Sequence, residues 1–399
     1  MLYSGRGVIY FADMRFTLRN LLTFGMLFGL AAGLGKAQAT ATLFASGLTN
    51  PSKIIMGPAG TLLAAETGAT PNSGVVSVIS PSGTRSVLID GLPSGLSVPN
   101  LDPDGPNGLL LDGNTLYIVV GEGDLYVNGT VQGTTVISSK GISSPIFDTL
   151  LQVTFPQSVE RFAGPFTLKI ADHTTLLDGG TVTLTNSAGD KATVTLISEF
   201  RWRPDAREVI KHSHPFGITR LDSDPKSVYV NDAGLNLVHQ IDLASGKKKT
   251  LIQFPSFPNQ GTTQPPVVDA VPDNIRAYGN QLLVTFLTGF PFTNGDSKVL
   301  VVDPATGTSA PFISWLNSSI DIVYRSRGTG NRPQFFVLEY STGFLAGAPG
   351  RVLVYDTPEG KVLVDGIKTP TSLALDSAGG KLYVASRGEG KIYSVTVGQ

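Results

Sequence analysis

A recurring phrase, a period of roughly 50 residues and an abundance of turn residues predict an all-β chain folded as a six-bladed β-propeller. The phrase is a proline at the start of a short apolar strand, a turn, and a second strand spelled like Leu-Tyr-Val. It runs from Asn50-Pro51 to Leu62-Leu63-Ala64-Ala65-Glu66, from Pro106-Asn107-Gly108 to Leu116-Tyr117-Ile118-Val119, and from His214-Pro215-Phe216-Gly217 to Val228-Tyr229-Val230. Further copies run from Val271-Pro272 to Leu282-Leu283-Val284 and from Thr369-Pro370 to Leu382-Tyr383-Val384. The 46 glycines and 26 prolines among 399 residues suit short strands joined by many tight turns.

The first element is an export signal, residues 1–39. Arg15 and Arg19 precede the apolar stretch from Leu21 to Gly35, and Ala37-Gln38-Ala39 supplies an Ala-x-Ala cleavage site. Met14 is the better initiator. The apolar stretch is too short and wrongly flanked to stay in a membrane, so the mature form, 40–399, is expected to have no membrane span and to be secreted or periplasmic.

Blade one is read from four apolar runs, 53–56, 61–66, 74–79 and 85–89, separated by Gly-Pro, Asn-Ser and Ser-Gly turns. Blade two begins at Pro106, and the long step to Pro215 hides either another blade or an insertion. Residues 156–192 lack both the proline entry and the Leu-Tyr-Val strand, which favours a small, protruding, β-rich insertion between a third strand at 148–155 and a fourth at 193–200. Blade five starts without a proline at Ser319-Ile320-Asp321-Ile322-Val323. The last blade, from Thr371, supplies only three strands, and the spare strand at 40–45 is expected to pair with it and close the ring.

Composition excludes several classes. Charged residues are 15% of the chain, and removal of 1–39 leaves 26 basic and 30 acidic residues, a net charge of −4. The only basic triplet, Lys247-Lys248-Lys249, sits in a hairpin turn, so no nucleic-acid partner is expected. The absence of cysteine excludes disulfides, Cys-ligated zinc, thiol catalysis and a lipoprotein anchor. A monomer with a small-molecule or protein partner is expected.

Several stretches resemble one family, the ScyD/ScyE β-propellers of the cyanobacterial scytonemin cluster. They are Phe44-Ala45-Ser46-Gly47-Leu48-Thr49-Asn50-Pro51, Asn231-Asp232-Ala233-Gly234-Leu235-Asn236, Leu287-Thr288-Gly289-Phe290-Pro291-Phe292 and Val299-Leu300-Val301-Val302-Asp303-Pro304. The first of these is shared with NHL-type and lactonase-type propellers. The resemblance implies an exported propeller and supplies no catalytic residue.

Candidate site residues follow from how a blade is strung. The inner strand leaves one face of the ring and the second strand returns to it, so the loops before inner strands and after second strands meet at one channel mouth. The former offer Asn50, Asn107, His214, Asp273 with Asn274, Asp321 and Thr371; the latter offer Glu66, Glu122, Asp232, Thr288, Glu339 and Arg387. Ca²⁺ takes carboxylate and amide oxygens, and Asn107, Asp273 and Asp321 offer them from different blades. The same side chains serve equally to bond entry-loop backbone and channel water. His214 is a polar channel liner, a general base or a metal ligand. His173, His212 and His239 read as surface or turn residues, and Asp102-Pro103-Asp104-Gly105 as a turn. Gly-x-Ser-x-Gly, His-Glu-x-x-His and Walker motifs are absent.

The function these features favour is that of an exported binding or accessory protein recognising its ligand at the channel mouth. A calcium-dependent, lactonase-like hydrolase with His214 or Glu66 as base, and a scaffold using 156–192, are the alternatives. Terminal sequencing of protein from an exporting host should find Thr40 first; an intact 14–39 segment would refute the export reading.

Overall fold

The computed structural model describes residues 38–398 except 99, 139–140, 202–207, 263 and 329–331; the expected signal segment lies outside the described residues save for its last two. Six antiparallel blades follow one another around a central channel in chain order. Blade one is built from Pro51–Met56, Leu62–Glu66, Gly74–Ile79 and Arg85–Leu92. Blade two uses Pro106–Asp112, Thr115–Val120, Thr149–Thr154 and Lys191–Glu199. The inner strands of blades three to six are Pro215–Leu221, Pro272–Tyr278, Ser319–Arg325 and Pro370–Asp376. Each inner strand packs on the next, and the last returns to Pro51–Met56. Among the described residues no helix is long and apolar enough to cross a membrane.

Burial explains the mixed sequence pattern. Leu62–Glu66 and Gln334–Glu339 are buried at every position, because neighbouring blades cover both faces of a second strand. The outermost strand of blade three, Lys248–Gln253, is exposed or half-buried throughout and is correspondingly polar.

The repeated prolines have a physical reason. At the start of an inner strand an N–H lies outside the ladder and needs another acceptor, and proline has none to satisfy; in blade five, which starts without proline, the Ser319 N–H is taken by Ser297 Oγ at 2.7 Å. The proline carbonyl is then taken by the neighbouring blade: Ser52 Oγ donates to Pro106 O at 2.6 Å, Asn231 Nδ2 to Pro272 O at 2.7 Å and Thr371 Oγ1 to Pro51 O at 2.8 Å.

Thr42–Ser46 pairs antiparallel with Lys391–Thr396 and completes blade six, so the two ends of the chain share one sheet. That removes an open edge at the place where the ring would otherwise part.

The 156–192 segment departs from the expected protruding module. Phe166–Thr167 adds a parallel strand to the outer edge of blade one, and Val182–Thr185 adds an antiparallel strand to blade two. A helix the sequence reading did not anticipate, Ile170–Leu177, joins them. Phe166, Leu168, Leu176, Val182 and Leu184 are buried in the core shared by these two blades. The segment folds back because it carries its own alternating apolar positions, and the outer edges of both blades offer unpaired backbone.

Two outcomes follow. Deleting 40–46 should lower unfolding stability by at least about 3 kcal/mol in urea titration, since it reopens two edges; an unchanged midpoint would contradict closure. Phe166→Ala should cost about 3–5 kcal/mol in the same assay, the loss typical of a fully buried phenylalanine, whereas a freely protruding module would show almost none.

Candidate functional site

The channel floor is organised by Asp321. Its carboxylate, fully buried, accepts from Arg276 Nε at 2.9 Å and Arg276 Nη2 at 2.7 Å, and lies 3.4 Å from Lys53 Nζ. It also takes the Asn274 amide, Ser372 Oγ at 3.0 Å and the Leu373 N–H at 2.8 Å. These donors come from blades one, four and six, and Asp321 itself from blade five. Burial alone would raise the Asp321 pKa, but Arg276 and Lys53 outweigh it and hold the carboxyl down at about 2. The same burial, with Arg276 alongside, brings Lys53 down to about 7 against the pull of Asp321 and Asp273.

A second layer consists of carboxylates at the ends of second strands. Glu66 accepts from the Thr49 N–H at 2.6 Å and pairs with Arg85. Asp232 accepts from the His214 N–H at 2.9 Å and Ser213 Oγ at 2.6 Å. Glu339 accepts from the Asn317 N–H at 2.7 Å and pairs with Arg351 at 2.5 Å. All three are buried, and each ties down the loop that enters its own blade. Asn50, with φ of 52°, donates from Nδ2 to Gly68 O at 2.7 Å and does the same work. These four expected ligand residues therefore hold loops in place, because each buried carboxylate or amide is spent on backbone and a local partner.

Above the floor lies a cavity of about 270 Å³ to which blades two to six contribute. Asn107, His214 and Asp273 line it together with Thr371 and Arg387. Its apolar wall is Phe216, Val271, Leu287, Ile320, Tyr340 and Phe344. Phe344 stacks on Phe292 at 4.0 Å, so the wall continues outward to the exposed Phe290 of the Leu-Thr-Gly-Phe-Pro-Phe loop.

Asp273 and His214 carry the electrostatics of this cavity. No described side chain donates a hydrogen bond to Asp273. Burial, with Asp321 nearby, raises it to about 7 although Lys53 and His214 pull the other way. For His214 burial works against the charge, yet Glu122 and Asp104, with Asp148 behind them, push it up to about 10. Its Nε2 is 3.6 Å from Asp104 Oδ1 and its Nδ1 3.9 Å from Glu122 Oε2. Asp104 is fully engaged, accepting from Asn107 Nδ2 at 2.6 Å and the Gly123 N–H at 2.8 Å.

Three expectations need correction. Asn107, Asp273 and Asp321 do not form a calcium ligand set: Asp321 is spent on two cationic side chains and Asn107 turns its amide nitrogen to Asp104, and among the described residues no group of three His, Asp or Glu is arranged to hold a metal. His173 and His239 are buried rather than superficial. His173 bonds Ser144 Oγ and Gly91 O, while half-buried His212 bridges Glu122 Oε2 at 2.6 Å and Thr135 Oγ1 at 2.8 Å. Asp104, read only as part of a turn, is the buried partner of His214. Lys53 and Arg276 were missed altogether. Their signal is a charge inside an otherwise apolar inner strand, Ser-Lys-Ile-Ile and Asn-Ile-Arg-Ala, where only the channel can receive it.

No family model and no curated protein matches the chain. Solved structures similar to it include a structural genomics protein of unknown function from Bacteroides thetaiotaomicron VPI-5482, at 10% identity over 90% of this chain and 72% of that chain, TM-score 0.48. Streptogramin B lyase is similar at 11% identity over 90% of this chain and 98% of the other, TM-score 0.44. The PQQ-bound aldose sugar dehydrogenase from Streptomyces coelicolor is similar at 13% identity, again over 90% and 98%, TM-score 0.42. Likeness at this level says nothing about chemistry. The chain is a six-bladed β-propeller with a polar-floored, apolar-walled cavity at one end of its channel.

Asp321→Ala should destabilise the fold by about 3–5 kcal/mol, because it strands Lys53 and Arg276 without a counter-charge. Since the folded pKa of Asp321 lies below its unfolded value, its contribution is present above pH ~4 and lost as pH falls toward 2; urea titrations from pH 5 to 2.5 should show a slope that Asp321→Asn reduces. Asp273 has the opposite sign. Its raised pKa penalises folding at pH 8 and the penalty fades as pH falls from 7 toward 4, so Asp273→Asn should stabilise at pH 8 and hardly at pH 4. A carboxyl NMR titration with the Asp273 midpoint near 4 would contradict this.

Proposed function

We propose that this chain is an exported binding or accessory protein that takes a small ligand into the cavity at the channel mouth. The observation that carries the reading is the cavity itself: residues far apart in sequence, from Asn107 to Arg387, line one enclosure whose unbonded carboxyl, Asp273, faces inward. Its volume, about 270 Å³, is just under the ~300–1,000 Å³ of sites for drug-sized molecules, which fits a metabolite of one or two rings. A floor of hydrogen-bonding groups under an apolar wall is the arrangement that orients such a ligand. The resemblance to the ScyD/ScyE propellers supports export and an accessory role. A calcium-dependent hydrolase has less support, because Lys53 and Arg276 already neutralise Asp321.

Ala233 lines the cavity, and Ala233→Trp places an indole in it. Native mass spectrometry after incubation with a metabolite library should find ligands retained by the natural protein and lost from this variant, whose melting temperature should stay within about 3 °C. Equal retention by both, or by neither, would sink the proposal.

A further inference from the structure

Taking the mouth cavity as the ligand site, its uncommitted groups indicate the charge of the ligand. Besides Tyr340, five ionisable side chains line it: Asp102, Asp104, His214, Asp273 and Arg387. Asp102 is exposed at the rim, where water screens it. Asp104 has both oxygens engaged and stands, together with Glu122, against His214, and Glu122 is itself bonded to His212. Arg387 is different. Its Nη2 donates to Pro103 O, and no described carboxylate lies within ion-pair distance of the guanidinium. Beneath the cavity the single charge of Asp321 stands between two cations, Lys53 and Arg276. Asp273 is faced by Lys53 from blade one, His214 from blade three and Asp321 from blade five. With its pKa raised to about 7, Asp273 meets a ligand below neutral pH as a neutral acid that donates a hydrogen bond. The groups with hydrogen-bonding capacity left over thus include the rest of the Arg387 guanidinium, His214 Nε2 and the acid proton of Asp273, all donors.

The walls define the rest of the ligand. Phe216, Tyr340 and Phe344 come from two blades and are each half-buried, leaving ring surface open to the cavity. Aromatic faces and edges of this kind take a flat apolar body by offset or edge-on stacking.

We propose that the cavity takes an aromatic carboxylate, the anion set against the Arg387 guanidinium and the ring system lodged among Phe216, Tyr340 and Phe344. Arginine suits this role because its planar fork matches the two carboxylate oxygens, and a charge-assisted pair in a partly desolvated cavity is stronger than a neutral hydrogen bond.

The test uses three probes of one shape and different charge: naphthoate, naphthamide and naphthylmethylammonium, titrated by calorimetry at pH 6 into the natural protein and into Arg387→Gln. Naphthoate should bind at least about tenfold tighter than the other two, the scale of a hydrogen bond to a charged group. Arg387→Gln should remove that advantage while naphthamide affinity changes far less, and a melting temperature within about 3 °C of the natural protein's shows that the variant remains folded. If naphthamide or the ammonium binds as tightly as naphthoate, the cavity stands as a ligand site and its anion preference is wrong. If Arg387→Gln weakens all three alike, Arg387 shapes the wall and does not read charge. If no probe binds at any charge, the reading of the cavity as a ligand site falls and this proposal falls with it.

Discussion

One carboxylate at the channel axis holds the ring together. Asp321, fully buried on blade five, receives donors from blades one, four and six, including both arms of Arg276. A buried charge costs several kcal/mol to desolvate, and only complete pairing with good geometry offsets that cost. The blades are therefore fixed in angle as well as in contact, since the donors on Arg276, Lys53, Ser372 and Leu373 must all point at two oxygen atoms. Apart from the strand that the 156–192 segment lends to blade one, no described strand pairing joins one blade to the next, and an axial ion cluster supplies an orientation that packing of apolar faces leaves loose.

That cluster also determines what the mouth above it can be. With Lys53 and Arg276 turned to Asp321, the floor is already neutralised by the protein's own cations and has little attraction for a metal ion. Its field nonetheless reaches Asp273, whose carboxyl lacks a hydrogen-bond donor of its own. The result is a group balanced between its acid and its base form near neutrality, placed in a cavity with aromatic walls.

The polar residues near the mouth fall into two layers with different duties. Glu66, Asp232 and Glu339 close the entry loops of their own blades by accepting a backbone N–H, and they are spent on that. Asn107, His214, Asp273 and Arg387 stand further in and line open space. Loop closure and ligand lining use the same chemical types, and they differ only in whether the side chain turns back on its blade or across the channel.

By itself the sequence determined the blade count, the proline entries, the pairing partner of the first strand and the small set of loops that meet at one mouth. These are local or periodic features: a proline without an N–H, an alternation of apolar residues, a strand left over at one end and missing at the other. Tertiary structure decided everything that depends on neighbours distant in sequence. Asp321 meeting Lys53 and Arg276, Asp104 of the 102–105 turn facing His214, and the 156–192 segment folding onto the edges of blades one and two are each set by ring closure. A charge in an apolar strand announces that it needs a partner, but which partner it finds depends on distances across the channel that no local pattern encodes.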